Sequence, residues 1–394
     1  MGLSGGSGLV RDRIFWMAIL ILFSFLAVLL LPSQSAASYP TYILTIGMLV
    51  TIRQWEDVMQ VDLFRWVCLL VGWLSASAMW SSPFEVRETA SVLLRGVLVI
   101  AFVVAFAECQ LRSQLQRWMG LAFAVIGSIV TVVAITLFFL TVPDDGRLNG
   151  LGQLDTHVIA ALVYGVLLIF VVQRMLVTSS LLVSVLFFLM ALVMGVAVFL
   201  SDSRNAWLSV PIGLLAFLLA HFVRERGRIQ GVLATGLTLG AALIVIILND
   251  EQLTAILLPR GDSFRLGIWT EFLMQIAESP IVGLGITTND DVLMGEHVIQ
   301  HPHSMYLSVL FQGGLIGLTL YLIVLFKVVK ELLAHIHTEA DAQLGIGILM
   351  LAMVAYMIDG HELIDKVGST WFLLWLPVAI AIGLQWRRSL RVKA

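Results

Sequence analysis

Two histidines in the segment HPHSMYLSVLFQGGLIG, residues 301–317, are well suited by type and position to acid–base chemistry. His301 and His303 flank a proline and directly precede a long apolar run. We expect His303 to lie at a helix N-terminus, with Ser304 as the cap, and such a position disfavours a charged imidazolium. A neutral ring can accept a proton, so His303 is predicted to act as a general base, with His301 in a supporting role.

Two arginines next to apolar segments form a second candidate group. Arg204, in FLSDSRNAWLSV, occupies a short polar link between two apolar runs, where a helix cap with a snorkelling side chain is the alternative interpretation. Arg265, in SFRLGIWTEFLMQIAESP, falls near the middle of the apolar face of a predicted helix over residues 263–280. An arginine there needs a buried anion, either a ligand or an acidic side chain such as Asp262 or Asp359.

Two further arginines lie in loops. Arg147, in PDDGRLNGLGQLD, could belong to a phosphate nest formed by backbone amides, or to a plain turn. Arg87, in SSPFEVRET, could instead pair with neighbouring glutamates. A guanidinium stays charged and binds phosphate oxygens through two parallel hydrogen bonds. We therefore expect these arginines to hold a lipid-linked phosphate or pyrophosphate.

The loop DGHELIDK, residues 359–366, supplies more candidates. Asp359, His361 and Asp365 could orient His303 or bind a sugar, with an ordinary loop as the alternative. A metal site would require His301 and His303 together with a residue such as His297. A His-x-His pair in a loop lacks a fixed third ligand, so the prediction is a site without metal or cofactor.

The elements that position these residues are membrane helices. The sequence is 59% hydrophobic and 12% charged, with a mean hydropathy of +0.98, whereas soluble domains contain roughly 25% charged residues. Continuous apolar runs of about 20 residues exclude a β-barrel. The prediction is a single all-α membrane domain over residues 1–394 with about twelve spans, near 14–31, 39–52, 63–80, 89–107, 118–142, 156–173, 178–199, 206–223, 229–248, 304–326, 341–358 and 367–386.

The distribution of basic residues orients these spans. Placing both termini in the cytoplasm puts most lysines and arginines inside, as the positive-inside rule requires, and leaves six outside, namely Arg87, Arg147, Arg204, Arg260, Arg265 and Lys366. One large external loop, residues 249–303, separates the ninth and tenth spans and contains the predicted interfacial helix. A long loop in a compact protein is usually functional.

Three motifs in order along residues 195–325 resemble the O-antigen ligase and polymerase superfamily. SDSRNAWLSV is similar to its Ser-Arg-x-Ala segment, and FRLGIWTEFLMQIAESPIVGLG to its arginine–tryptophan helix with a Pro-x-x-Gly-x-Gly turn. HSMYLSVLFQGGLIG is similar to its histidine motif. In contrast, the N-terminal half resembles this superfamily only in the number and layout of its spans.

The resemblance implies a multi-pass enzyme of the bacterial inner membrane with its active site facing the periplasm. It would transfer O-antigen from undecaprenyl pyrophosphate to a sugar hydroxyl of lipid A–core. We predict, apart from the resemblance, that the transfer proceeds by inversion and without metal. Arg204 and Arg265 would hold the pyrophosphate, and His303 would act on the acceptor. Arg147 and Arg87 are added to the pyrophosphate group from their placement alone.

Three other functions remain open from the sequence. An O-antigen polymerase would use a second lipid-linked glycan as its acceptor, and a protein O-oligosaccharyltransferase would use a serine. A lipid or solute transporter is the alternative outside the enzymes, although a transporter should show repeated halves with charged residues at mid-membrane depth. Among the charged residues, only Arg95 is predicted to lie deep within a span.

Overall fold

The computed structural model describes residues 5–51, 55–141, 143–224, 265–289, 291–294, 297–299 and 301–393. This part of the chain is predominantly helical. Its helices, in order, are α1 (Gly5–Leu30), α2 (Gln34–Thr51), α3 (Trp55–Met59), α4 (Asp62–Ala76), α5 (Val86–Gln110), α6 (Ser113–Thr141), α7 (His157–Val177), α8 (Leu181–Leu200), α9 (Arg204–Arg224), α10 (Arg265–Ile276), α11 (Met305–Ala334), α12 (Ala340–Ile358) and α13 (Leu376–Lys393).

Shorter elements complete the described structure. A 3-10 turn (Ser77–Met79) extends α4, and a π-helical turn (Trp371–Trp375) leads into α13. Strands β1 (Val292–Met294) and β2 (His297–Ile299) form a small antiparallel hairpin.

Eight helices among the described residues are long and apolar enough to cross a membrane. They correspond to eight of the predicted spans and include α11 and α12. The first, second and twelfth predicted spans overlap α1, α2 and the helix formed by the π-turn with α13. The ninth, 229–248, lies outside the described residues, as does much of the loop over 249–303. The structure therefore supports a polytopic all-α protein, and the count of twelve stays a prediction.

Helix α12 lies at the centre of the bundle. It packs against α7, α9, α11 and α13, and most of its side chains are buried. The aromatic side chains of Phe102, Phe123 and Trp371 pack beside it in one continuous apolar core. Helix α8, in contrast, is mostly exposed and strongly apolar. It therefore has the character of a helix at the lipid boundary.

Helix α11 is broken at Gly314. The backbone of this residue has φ +64° and ψ −164°, a combination that is essentially restricted to glycine. In an unbroken helix, the amides of Leu315 and Ile316 would donate to the carbonyls of Phe311 and Gln312. The break separates these two donors from their two acceptors.

The segment Pro280–Gly285 fills the break. Its carbonyls at Pro280 and Ile281 accept hydrogen bonds from the amides of Leu315 (2.9 Å) and Ile316 (3.2 Å). Its amides at Leu284 and Gly285 donate to the carbonyls of Phe311 (2.8 Å) and Gln312 (3.0 Å). The Pro-x-x-Gly-x-Gly turn and the Gly-Gly pair of α11 are therefore two halves of one joint.

Glycines also bring α4 and α11 together. A Cβ on Gly313 would collide with Leu74, and one on Gly317 would touch the same side chain at 3.4 Å. The indole nitrogen of Trp73 donates to the Gly313 carbonyl (2.9 Å). Gly313 and Gly317 therefore allow α4 and α11 to approach closely, and the next residue after Gly313 forms the break.

Candidate functional site

His303 lies in the turn just before α11 and forms a pair with Asp359, the residue that follows α12. The distance from His303 Nδ1 to Asp359 Oδ1 is 3.1 Å, and both side chains are about one-third exposed. An ionised carboxylate can only accept hydrogen bonds, so Nδ1–H is the donor in this pair. The lone pair of Nε2 is therefore left available to take a proton from a ligand.

The backbone around the pair holds it in place. His303 has φ +49°, a left-handed conformation that a residue with a side chain adopts only when its surroundings impose it. The His303 amide donates to His301 Nδ1 (3.3 Å), and the Gly360 amide donates to the same Asp359 oxygen that His303 contacts (2.9 Å). Ser304 occupies the cap position of α11, but its side chain makes no capping hydrogen bond, contrary to the expectation.

Two more histidines pack against this pair. The rings of His301 and His303 are 4.0 Å apart between centroids, and His301 stacks on His361 at 4.1 Å. Burial, reinforced by His361 and His303 and opposed by Asp359, lowers the pKa of His301 to about 4. Burial also lowers the pKa of His361, against the opposing charges of Asp365 and Asp359. Both rings are thus neutral at physiological pH.

Asp359 is held in its charged form. Burial works against ionisation, but the hydrogen bond from His303, the charge of His303, the Gly360 amide and His301 together lower the pKa of Asp359 below its ordinary value. Asp365 behaves differently. Burial, with Glu362 nearby, raises its pKa to about 7, and its carboxylate bonds to Gln34 and the Lys366 amide. Asp359 is therefore the stronger candidate of the two for orienting His303.

Helix α10 is tied to the histidine turn. The indole nitrogen of Trp269 donates to the carbonyl of Pro302 (2.9 Å), between the two histidines. Ile268, Phe272 and Ile276 are buried, and Phe272 packs edge-on against Phe311 of α11. Arg265 begins α10, one helical turn before Trp269. Leu266 and Leu273, two other apolar side chains of this helix, are exposed.

Arg147 and Arg204 approach from the other side of the pair. Arg147 Nε lies 3.4 Å from Asp202 Oδ2 in the turn between α8 and α9, and its Nη1 lies 3.4 Å from His157 Nε2. Arg204 is the first residue of α9 and is partly buried. The neighbouring Asn205 donates to the Ala355 carbonyl (3.1 Å), one turn of α12 before Asp359. This contact brings the Arg204 turn to the end of α12 that carries the carboxylate.

Three amides in the loop around Arg147 already donate to protein oxygens, which weighs against the phosphate nest considered from the sequence. The Arg147 amide donates to the Asp145 carboxylate (3.1 Å), that of Leu148 to the Leu200 carbonyl (2.9 Å) and that of Gly150 to the Leu154 carbonyl. Arg147 can therefore contribute to a site through its side chain, and the backbone of this loop serves to hold it.

A polar cavity of about 710 Å³ opens on the His301 and His361 side of the pair. Arg87, Ser91 and Arg95 of α5 are spaced four residues apart and all line this cavity, so they share one face of the helix. The apolar residues Val92, Ile286, Phe311 and Ile364 form part of the remaining wall. The other lining residues are mostly polar and include Glu85, Glu88, Thr287, Thr288, Asn289, Asp291, Gln312 and Glu362.

Arg87 is exposed in this cavity and, within the described residues, makes no ion pair with Glu85 or Glu88. Arg95 lies two helical turns deeper, and its buried Nε makes no hydrogen bond to any described residue. The sequence predicts that Arg95 lies deep within a span but indicates no role for it. His157 and Asp202 are not predicted from the sequence. Their position at helix ends, beside candidate arginines, is the feature that could have indicated them.

His301, His303 and Asp359 also offer one ligand atom each within 4.8 Å of one another, a spacing that could accommodate a metal ion. Asp359 supplies the fixed third ligand that a His-x-His pair lacks by itself. A metal bound here would replace the hydrogen bond between His303 and Asp359. Metal binding and general-base action by His303 are therefore alternatives that an experiment must separate.

Comparison with known proteins bears directly on this region. Residues 189–322 match the family model described as O-antigen ligase. This stretch contains Arg204, Arg265, His301 and His303. The chain carries an O-antigen ligase domain. The match supports an enzyme of this kind.

Individual relatives extend the similarity. An O-antigen ligase of Pseudomonas aeruginosa is 26% identical over 318 residues, which cover 79% of this chain and 75% of the relative. Provisionally named polysaccharide ligases are similar over shorter stretches. The Rickettsia bellii protein is 29% identical over a stretch that covers 34% of this chain and 36% of the relative. The Rickettsia prowazekii protein is 23% identical over a stretch that covers 46% of this chain and 48% of the relative. Together they support a glycan-transferring ligase.

Proposed function

We propose that this protein transfers O-antigen polysaccharide from undecaprenyl pyrophosphate to a sugar hydroxyl of lipid A–core, at the periplasmic face of the bacterial inner membrane. The observation that carries the proposal is the His303–Asp359 pair, which presents Nε2 of a histidine within the O-antigen ligase domain. Grouped arginines and a polar cavity beside the pair support substrates that combine phosphate and sugar.

In the proposed reaction, His303 Nε2 takes the proton of the acceptor hydroxyl. The acceptor oxygen forms a bond to the anomeric carbon as the bond from that carbon to the pyrophosphate oxygen breaks. Attack from the opposite face inverts the anomeric centre, and the electron pair leaves with undecaprenyl pyrophosphate. Asp359 stabilises the imidazolium that forms, and His303 later releases its proton to solvent.

Arginines take the role of neutralising the leaving group. Arg204 and Arg265 lie within the matched domain, and Arg147 lies beside the Arg204 turn through its contact with Asp202. Fixed cations near a departing pyrophosphate stabilise the charge that develops in the transition state. Many enzymes assign this work to a divalent metal, so three arginines make a metal-independent reaction reasonable.

The cavity beside His301 and His361 is proposed to hold the acceptor sugar. Its volume of about 710 Å³ is in the range of small-molecule sites, and its carboxylates, hydroxyls and arginines can exchange hydrogen bonds with sugar hydroxyls. Arg87, expected from the sequence to join the pyrophosphate group, lines this cavity. We therefore assign it to the acceptor side.

Reconstitution with a lipid-linked O-antigen donor and lipid A–core tests the proposal. We expect transfer to proceed in EDTA at the rate seen without it. A product that forms only after addition of a divalent cation would reject the metal-free mechanism and favour a metal on His301, His303 and Asp359. Product formation on a lipid-linked glycan or a protein, but not on lipid A–core, would instead identify a different acceptor.

A further inference from the structure

A second cavity, of about 460 Å³, lies at the other end of the helical bundle. It is formed where α6 begins, α7 ends and α8 begins. Helix α7 starts at His157, beside Arg147, and ends at Val177 in this cavity, so about 30 Å of helix separates it from the candidate active site. It therefore cannot be an extension of that site.

The walls of this cavity combine apolar side chains with two arginines. Leu121, Val177, Val183 and Phe187 line it together with Trp118, whose ring is largely exposed. Arg117 and Arg174 are its charged lining residues, and no acidic side chain is among the described residues that line it. Such a site favours a ligand that is anionic at one end and apolar at the other.

Arg174 is placed to receive an anion. Its guanidinium lies flat against Gly120, where a Cβ would collide with it. Its buried Nε has no hydrogen-bond partner among the described residues. Asp341 acts on it electrostatically but makes no ion pair with it within 4 Å, and Arg117 adds a second positive charge. Arg174 therefore places positive charge beside an apolar wall, and Arg117 lines the same cavity.

Helix α8 indicates the source of the ligand. Only a small share of its residues is buried, and Leu182, Leu186 and Leu189 are exposed on its surface next to the cavity. These side chains have the apolar character of a surface that contacts acyl chains. Basic pockets between membrane helices bind the headgroups of anionic lipids.

We propose that this cavity binds an anionic phospholipid. Its phosphate lies between Arg117 and Arg174, and its acyl chains follow Val183, Phe187 and the exposed leucines of α8. Arginine binds phosphate oxygens through its planar fork and is less strongly hydrated than lysine, which suits a headgroup at the edge of an apolar wall. The site is separate from glycan transfer and does not depend on the proposed function.

Native mass spectrometry of the full-length protein, with phosphatidylglycerol and phosphatidylcholine as competing probes, tests this site. Wild-type protein is expected to retain phosphatidylglycerol in preference to phosphatidylcholine. The double variant Arg117→Gln/Arg174→Gln should reduce this retention about thirtyfold. Val183→Trp, which fills the cavity and keeps both charges, should also reduce the retention of phosphatidylglycerol. This variant tests the site if the double variant does not fold. Arg391→Gln, at an exposed arginine on α13, is the matched control.

Three outcomes would overturn the proposal. The first is wild-type retention of phosphatidylglycerol by a correctly folded double variant or by Val183→Trp. The second is displacement of the lipid by an equal concentration of inorganic phosphate, which would show a site for a free anion instead. Loss in Arg391→Gln equal to that of the double variant would point to general surface charge and would equally reject a defined cavity.

Discussion

At the scale of single residues, the arrangement of His303 separates binding from chemistry. Its Nδ1 is engaged by Asp359, its backbone is fixed in a left-handed conformation, and its Nε2 is the atom left to react. Removing a side chain held in this way should not disturb the arginines that are proposed to bind the donor. Substitutions at this pair should therefore act on the rate of transfer.

The substitution His303→Ala should reduce glycan transfer by about 10²- to 10⁴-fold, the usual contribution of general-base catalysis. Binding of the lipid-linked donor should stay close to wild type, because the proposed pyrophosphate ligands are arginines. The measurements are the initial rate of transfer and the equilibrium binding of the donor. His337→Ala, at an exposed histidine after α11, is the control. Wild-type transfer by His303→Ala would eliminate the base role.

The substitution Asp359→Asn should lower the rate by less than the loss of His303 itself, because the base is still present but poorly oriented. Removing the carboxylate takes away the acceptor that orients Nδ1–H of His303. Binding of the lipid-linked donor should stay close to wild type, because the proposed donor ligands are arginines. A purely structural role would weaken donor binding together with the rate, and Asp144→Asn in an exposed loop should change neither.

At the scale of elements, the joint between α11 and the Pro280–Gly285 segment fixes the position of the histidine turn. The segment follows α10, and α10 in turn holds the Pro302 carbonyl through Trp269. The turn containing His303 is therefore attached at both ends to one compact unit. Displacing the segment should disturb the site even though none of its residues touches the His303 ring.

The substitution Gly314→Ala tests this joint. A Cβ there would overlap the Ile281 carbonyl, and alanine disfavours the backbone conformation that Gly314 adopts. We expect a loss of about 2–4 kcal/mol in stability, visible as a lower Tm, together with reduced transfer. In the control Gly72→Ala, on α4, the new Cβ meets nothing within 4 Å, so Tm should be unchanged or slightly higher. Equal Tm values for the two variants would contradict the account of the joint.

At the scale of the whole molecule, the buried histidines make stability depend on pH. In the unfolded chain His301 takes up a proton below its ordinary pKa of 6.5, whereas in the folded protein it stays neutral down to about 4. The unfolded state binds more protons in this interval, so stability decreases as the pH falls from 7 to 5.

Between pH 7 and pH 5, His301 lowers the free energy of unfolding by about 1 kcal/mol, a value that allows for solvent screening of a partly exposed ring. His301→Gln removes this proton uptake, so its Tm should fall less than that of wild type between pH 7 and pH 5. Differential scanning fluorimetry in detergent measures the Tm of wild type and of His301→Gln at each pH. A steeper fall in the variant would show that His301 becomes charged in the folded protein.

The sequence predicts much of the architecture because membrane helices have a strong local signal. Apolar runs located the eight helices that meet the criteria for spanning a membrane. Position at span ends made His303 and Arg204 candidates, and an apolar helix face made Arg265 a candidate. Contacts between distant segments have no such signal. Asp359 lies 56 residues from its partner His303. Arg87 lines the polar cavity, whereas Arg147 contacts Asp202 after α8. Only the folded chain specifies these relations.

The joint in α11 also has a consequence for biosynthesis. Until Pro280–Gly285 docks, the amides of Leu315 and Ile316 and the carbonyls of Phe311 and Gln312 have no partners about 14 Å into the helix. Unsatisfied groups of this kind cost several kcal/mol each in lipid. The docking segment precedes α11 in the chain, so it has already been synthesised when α11 enters the membrane. The order of translation thus delivers the partner first, and α11 with its histidine turn can be completed as it inserts.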